Sequence, residues 1–289
     1  MINLYLLGKK GLESIERLSP TLWSKINVIC IGKDPAIVDD YSTEIAEFAA
    51  KHAIPHYYRG GIFPDNLGPG SLNIAIGWRW LISLELPLIV FHDSILPKYR
   101  GFNPLVTALI NGDKQIGVTA LIGTDEFDKG DIIAQRIISI EYPIKIEEAI
   151  NLLSKEYAAL LEDVFHLYLS DAIAPKQQNE QYATYSLWRD EEDYHIDWSS
   201  DSGSIKRMID AVGFPYNGAF TYIDGVKSRI FDVEEVPDIP IANRTPGKVI
   251  FKENDEFTVV CGKGLLKIRD FYNDESQKVK QSKFRIRFK

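Results

Sequence analysis

The sequence holds only two cysteines in 289 residues, Cys30 and Cys261, each inside an apolar run ("INVICIG" and "FTVVCGKG"). That excludes a disulfide framework, and no cysteine or histidine spacing suits zinc. Two buried, reduced thiols are expected. No run of about 18 apolar residues occurs, which excludes a membrane-spanning helix. The opening "MINLYLLGKKG" puts its lysines after the apolar stretch and has no small-residue cleavage site, unlike a secretory signal. The expected location is the cytoplasm. Positive charge is short as well, with 33 Lys and Arg against 41 Asp and Glu and a net charge of −8. A general nucleic-acid binder needs a basic face, so none is expected. "LGKKG" offers Gly8 and Gly11 but not G-x-G-x-x-G, and no P-loop exists, so a dinucleotide site is not supported. Internal repeats and low-complexity tracts are absent.

What is present is 45% hydrophobic residues, enough for a large core and for two domains. "INLYLL", "KINVICIG", "AIPHYY", "LNIAIGWRWLI", "LPLIVFHD", "IGVTALIG" and "DIIAQRIISI" read as strands. Between and after them, "DDYSTEIAEFAAKH", "NPLVTALINGD" and the long "KIEEAINLLSKEYAALLEDVFHLYLSDAI" have helical spacing. Asn103 opens the second helix, with Pro104 at its first position. Strands alternating with helices predict an α/β fold, a Rossmann-like, mostly parallel sheet with helices on both faces. A polar linker over Pro175–Gln181 separates a domain of residues 1–176 from one of residues 177–289. The second domain has one helix ("SGSIKRMIDAVG") and several short strands, and is expected to be mainly β and barrel-like. Its tail, "KVKQSKFRIRFK", alternates Phe284, Ile286 and Phe288 with Lys283, Arg285 and Arg287. This reads either as a charge-protected edge strand or as a phosphate-contacting strip.

The stretch "PLIVFHDSILPKYRGFNPL" carries the functional signal. An apolar strand ends in His92 and Asp93, and ligands of open α/β sheets bind beyond the strands' carboxyl ends. Further on, "TDEFDKGDI" places Asp125, Asp128 and Asp131 around Gly130 in a tight acidic turn. If the two strands are close, Asp128 approaches His92, favours its charged form and fixes its orientation. Such a pair suits general acid–base work, although on the pattern alone such a histidine is more often a satisfied surface group than a catalyst. His52 and His56 have metal-ligand spacing, but Pro55 breaks the helix between them, so no metal is expected. His166 and His195 read as structural.

These motifs resemble the folate-dependent formyltransferases. The likeness runs through "FHDSILPKYRG", "INGDKQIGVTALIGTDEFDKGDII", "YSLWRDEEDYHIDWS" and "MIDAVGFPYNGAFT", and is closest in the branch acting on nucleotide-linked sugars. The resemblance implies 10-formyltetrahydrofolate as co-substrate and a primary amine as acceptor. It implies catalysis by His92 and Asp128. Cofactor contacts would come from Trp78, Ser94, Leu96, Pro97, Thr124 and Asp125. Substrate contacts would come from Lys98, Tyr99, Arg100, Asn103, Tyr216 and Tyr222. Core packing competes with a pterin wall for Trp78, a turn competes with base stacking for "FPYNGAF", and a structural salt bridge competes with phosphate recognition for Arg100. The family asparagine two positions before the histidine falls on Val90, which offers no hydrogen bond. Asp93, Ser94 and Asn103 stand near enough to replace it.

For the acceptor, a tRNA substrate demands a clearly basic second domain, whereas the charges after the linker nearly balance. The expected substrate is a nucleotide-linked amino sugar, a dTDP-sugar, used for surface polysaccharide such as O-antigen. The alternatives are methionyl-tRNA, another small amine, or an inactive folate or nucleotide-sugar binder created by Val90. Relatives in the sugar branch imply a homodimer.

Overall fold

Branched apolar runs become strands and the amphipathic runs between them become helices, in nearly the order their periods predict. The computed structural model describes residues 1–35, 39–61, 71–82 and 87–289. In chain order its first part contains β1 (Ile2–Leu6), α1 (Gly8–Glu16), α2 (Pro20–Trp23), β2 (Ile26–Ile31), α3 (Ser42–Lys51), β3 (His56–Tyr58) and β4 (Leu72–Ile76). There follow β5 (Leu88–His92), β6 (Arg100–Gly101), α4 (Pro104–Asn111), β7 (Gln115–Ile122), β8 (Ile132–Ser139), α5 (Ile146–Leu169) and β9 (Tyr185–Ser186).

Seven of these strands form one sheet in the order β3-β2-β1-β4-β5-β7-β8. Only β7 runs against its neighbours; the other pairings in the sheet are parallel. The strand order reverses direction between β1 and β4, the crevice where ligands of such sheets bind. At that switch point the strand ends approach closely. Gly77 follows β4 with φ of 64°, and a Cβ there would lie 2.5 Å from the Leu7 carbonyl oxygen, so no side chain fits. The sheet's middle is dry: every residue of β1 and of β4 is buried.

Two compact units result. The first comprises residues 1–105, 114–140 and 148–187; the second comprises 106–113, 141–147 and 188–289. The polar stretch 175–181, read as a linker, stays with the first unit. Lys176 pairs with Ile132, and Gln178 and Glu180 receive the Arg100 side chain.

In the second unit, α6 (Ser202–Val212) is followed by β10 (Ala219–Ile223), β11 (Val226–Ile230), β12 (Val233–Val236) and β13 (Val249–Glu253). Then come β14 (Glu256–Val260), β15 (Leu265–Ile268), β16 (Phe271–Tyr272) and β17 (Lys278–Val279). They make two antiparallel sheets, β10-β11-β16-β17 and β12-β15-β14-β13. The C-terminal tail is not the continuous strand its alternation predicts. It makes isolated bridges instead, Phe288 with Ile223 and Arg287 with Lys248, and so laces one sheet to the other. Ile286 and Phe288 are buried while Phe284 is exposed, because only the last two apolar side chains reach the interior. Among the described residues no helix is long and apolar enough to cross a membrane.

Candidate active site

β5 acts as a stiff post. Ile89 and Phe91 are buried in the sheet, and the strand stops at His92 because the next residues turn away. His92 is itself buried, with a side chain only 8% exposed. Its Nε2 lies 2.8 Å from the carbonyl oxygen of Tyr99. A carbonyl can only accept, so Nε2 carries a proton and donates it there. That leaves Nδ1 as the exchanging nitrogen, 3.4 Å from Asp128 Oδ1. With Nδ1 protonated the pair is an ion pair; with Nδ1 free the imidazole is a base beside a carboxylate that orients it.

Asp128 is equally fixed. Its Oδ2 accepts the Gly101 backbone N–H at 2.8 Å, and its carbonyl accepts the Gln178 amide at 2.7 Å. Its backbone sits in the left-handed region, φ 54°. Gly130, two residues on, lies against β7 so closely that a Cβ would be 1.8 Å from the Ile122 oxygen. The acidic turn therefore has the shape it has because glycine permits it. Gln178 also donates to the Gly130 carbonyl, at 2.8 Å, and accepts from the Arg100 guanidinium at 2.8 and 3.1 Å.

Arg100 is fully buried, and its remaining donors meet both oxygens of Glu180 at 2.7 and 2.9 Å. The salt bridge is thus the role its guanidinium has, and not presentation to a diphosphate. The hydrogen bond it donates to Glu180 is the main reason its proton is held more tightly than usual.

The segment after His92 is pinned from β7 and β8. Thr119 Oγ1 donates to the Ser94 carbonyl at 2.7 Å, and Gln135 donates to Thr119 Oγ1 and to the Leu96 carbonyl at 2.8 and 2.9 Å. Leu96 is buried, Pro97 half-buried and Lys98 exposed. Tyr99 is held at φ 59°, where its carbonyl can reach His92. The Ser94 hydroxyl is buried and makes no hydrogen bond within the described residues.

Asp93 does not face a vacancy left by an asparagine at position 90. Its Oδ2 holds the Lys10 ammonium and its Oδ1 accepts the Tyr157 hydroxyl. Burial works against ionising Asp93, but the Lys10 charge and hydrogen bond, with that of Tyr157, outweigh it and hold the carboxyl below its ordinary range. Burial, followed by the Asp93 charge, pushes the Tyr157 phenol well above the usual value, so it stays a donor.

Trp78 lies beyond the end of β4, not within a strand as "LNIAIGWRWLI" predicts, because the chain turns at Gly77. Its ring meets Tyr5 edge-on at 5.3 Å and Trp80 at 5.0 Å, and its indole N–H is buried without a partner among the described residues. Asn103 occupies a left-handed position, φ 48°, directly before α4, and Thr124 Oγ1 donates within its own turn to Glu126. Asp125 is exposed. Tyr216 and Tyr222 belong to the second unit; the Tyr222 ring, 41% exposed, packs on His195 and Phe220. Val90 is half-buried between Ala75 and Leu121, on the same face as His92.

Sequence reasoning named His92 and Asp128, and the fold brings them together. It missed Lys10, Tyr157, Thr119, Gln135 and Gln178, whose contacts cross dozens of residues without any repeating pattern. The proline and glycine spacing around the loop was the only signal that something had to hold it.

Fold and site together define an α/β class with a histidine–carboxylate pair at the carboxyl edge of a mixed sheet. Two family models match, "Formyl transferase" over residues 76–164 and "Formyl transferase, C-terminal domain" over residues 189–288. A methionyl-tRNA formyltransferase of Streptococcus sanguinis is 33% identical over 238 residues, 78% of this chain and 75% of that one. One of Caldanaerobacter subterraneus is 32% identical over 195 residues, 68% of this chain and 62% of that one, so the chain spans under two thirds of its length. An N-formyltransferase of Helicobacter canadensis, solved with folinic acid and dTDP-3-aminofucose, superposes with a TM-score of 0.70 at 16% identity, over 94% of this chain and 99% of that one. HypX of Aquifex aeolicus gives 0.62 at 19% identity, over 97% of this chain but 47% of its own. The chain belongs to the formyl transferase family.

Proposed function

We propose that this protein transfers a formyl group from 10-formyltetrahydrofolate to the primary amine of a nucleotide-linked amino sugar, a dTDP-sugar, for surface polysaccharide. The observation that carries the transfer is the His92–Asp128 pair, with Nε2 locked on Tyr99 and Nδ1 left to exchange a proton. An amine attacks a carbonyl only when neutral and must then lose a proton. His92 Nδ1 takes that proton, Asp128 stabilises the resulting imidazolium, and the proton passes to the folate nitrogen that leaves as its bond to the formyl carbon breaks. The same imidazolium is a charged donor for the oxygen that gains negative charge.

The residues fit the folate. The buried Ser94 hydroxyl and the buried Trp78 indole N–H are polar atoms without partners among the described residues, and the pterin and formyl groups carry acceptors for both. The folate supplies the formyl carbon; this chain's groups bind, orient and move the proton. Ser94 also answers the loss of the family asparagine at Val90, since Asp93 is taken by Lys10 and Tyr157. Leu96, Pro97, Thr124 and Asp125 complete the proposed folate contacts.

For the acceptor, the full-length likeness to an enzyme solved with dTDP-3-aminofucose supports the sugar reading. So does the charge of the second unit, where Lys227, Arg229, Arg244, Lys267 and Arg269 are each paired with carboxylates rather than massed on an open face. Lys98 and Tyr99 would meet the diphosphate and Asn103 the sugar. The same reading carries a homodimer, which analytical ultracentrifugation checks. Methionyl-tRNA is the second reading, favoured by the names of the relatives at 32–33% identity. Formyl transfer assayed with dTDP-, UDP- and GDP-amino sugars beside methionyl-tRNA separates them. Turnover on methionyl-tRNA alone overturns the sugar reading. Full activity in His92→Ala and Asp128→Asn overturns the transfer mechanism.

A further inference from the structure

The "KK" of the opening "LGKKG" run supports no dinucleotide site, yet Lys10 is not idle. It stands in the first turn of α1, directly after β1, at the switch point of the sheet. From there it crosses over the end of β4 to the carboxylate of Asp93, 83 residues away. Its side chain is only 14% exposed, and its ammonium lies 5.6 Å from the ring centre of Tyr157, which comes from α5 and donates to the other Asp93 oxygen. Two helices therefore direct a cation and a phenol to one carboxylate.

That carboxylate is the immediate chain neighbour of His92. Of the charged and titratable groups around it, Asp128 from the β7–β8 turn touches His92 directly, Asp93 is its neighbour in the chain, and Lys10 from α1 and Tyr157 from α5 act on it through Asp93. From the 99–101 segment it meets a neutral carbonyl, and from β7 it is paired with the neutral Thr119.

We propose that Lys10, Asp93 and Tyr157 form a charge-balancing group that cancels the negative charge next to His92, leaving its proton under the control of Asp128. They are positioning residues and touch neither folate nor amine. This rests on the formyl-transfer reading for its kinetic consequence but not for its electrostatic one. A buried anion beside an imidazole favours its protonated form, and a buried cation disfavours it. Removing either partner of the Lys10–Asp93 pair must therefore bias His92 in opposite senses, and removing both must restore it.

The test is a four-protein cycle: wild type, Lys10→Met, Asp93→Asn and the double variant, with Lys10→Arg and Tyr157→Phe as gentler changes. In kcat against pH, the limb at which His92 must lose its proton is expected to move up by about one unit in Lys10→Met and down by a similar amount in Asp93→Asn. The double variant is expected to return close to wild type, and Lys10→Arg to stay there. The His92 ring proton resonance, assigned with His92→Gln, is followed over the same pH range and is expected to shift in the same directions. That second readout needs no turnover. If the wild type transfers no formyl group, the function reading fails while the titration still decides this one. Coincident histidine titrations in all four folded proteins, whatever their thermal stabilities, overturn the proposal and leave the cluster a structural clamp. If the single variants do not fold, Tyr157→Phe decides. Losing one of the two hydrogen bonds to Asp93 leaves its charge less well compensated, so the His92 titration moves upward, and no movement overturns the proposal.

Discussion

At the residue scale, single atoms have been assigned a task by what their neighbours can and cannot do. The carbonyl of Tyr99 can only accept, and this fixes the proton of His92 on Nε2 and frees Nδ1 for exchange. His92→Ala is expected to lower kcat by about 10² to 10⁴, the range of general acid–base help, with binding of folate little changed. Ser94→Ala tests the opposite economy. Its buried hydroxyl has no partner among the described residues, an arrangement that costs about 1–3 kcal/mol, so the variant's melting temperature should stay level or rise while its KM for the folate rises. A lowered melting temperature with unchanged KM would show that Ser94 is structural.

Asp93 gives a pH dependence. Its carboxyl is held below the ordinary range in the fold, so it binds a proton less readily folded than unfolded. Its stabilising effect is complete above the unfolded value of about 4 and is lost as pH falls through the folded value. The melting temperature of Asp93→Asn should accordingly fall less steeply with acid than that of the wild type, measured below about pH 5. Position 92 and its carboxylate partner were legible because strand end, proline, glycine and aspartate mark them in order. Lys10 was not, since its partner lies beyond an intervening strand and no period links the two.

At the scale of elements, turns and caps decide what the strands can present. The acidic turn after β7 is held by Gln178, which is in turn held by Arg100. Arg100→Met should leave both units folded but let Asp128 drift, and a displacement of about 1 Å at a catalytic group can cost about 10²-fold in rate. Retention of wild-type kcat in that variant would remove Arg100 from the support of the site. In the second unit, α6 begins where Asp201 accepts the Ser204 backbone N–H at 3.0 Å. Asp201→Ala is expected to cost about 1 kcal/mol in urea unfolding, as for other N-caps. This helix was plain in the sequence, because its amphipathic spacing and its stop at Gly213 agree. α1 was not, because it begins inside the glycine–lysine run at Gly8, and glycine is a poor helix former.

At the scale of the whole molecule, the C-terminal tail shows how the second unit is closed. Phe288 is buried, in ring contact with Trp198 and Phe271, and its backbone bridges to Ile223. Phe288→Ala should destabilise that unit by about 3–5 kcal/mol, read from denaturant unfolding, whereas Phe284→Ala, at an exposed position, should change little. The pairing of the unit's cations with carboxylates carries a binding prediction too. Nucleotide-sugar affinity should fall modestly with salt, without the steep dependence that many phosphate contacts give a tRNA enzyme.

Periodicity, strand-end chemistry and turn residues, all local, were enough to determine the α/β order, the helix of the second unit, the buried thiols and the pairing of His92 with Asp128. Local patterns carry such features because side-chain direction repeats every two residues in a strand and about every 3.6 in a helix. The tertiary structure alone decided which carboxylate meets which cation, that the stretch 175–181 belongs to the first unit, and that Arg100 is consumed inside. Those outcomes depend on distances closed between residues far apart in the chain, and burial makes each such pairing obligatory without leaving a spacing to read.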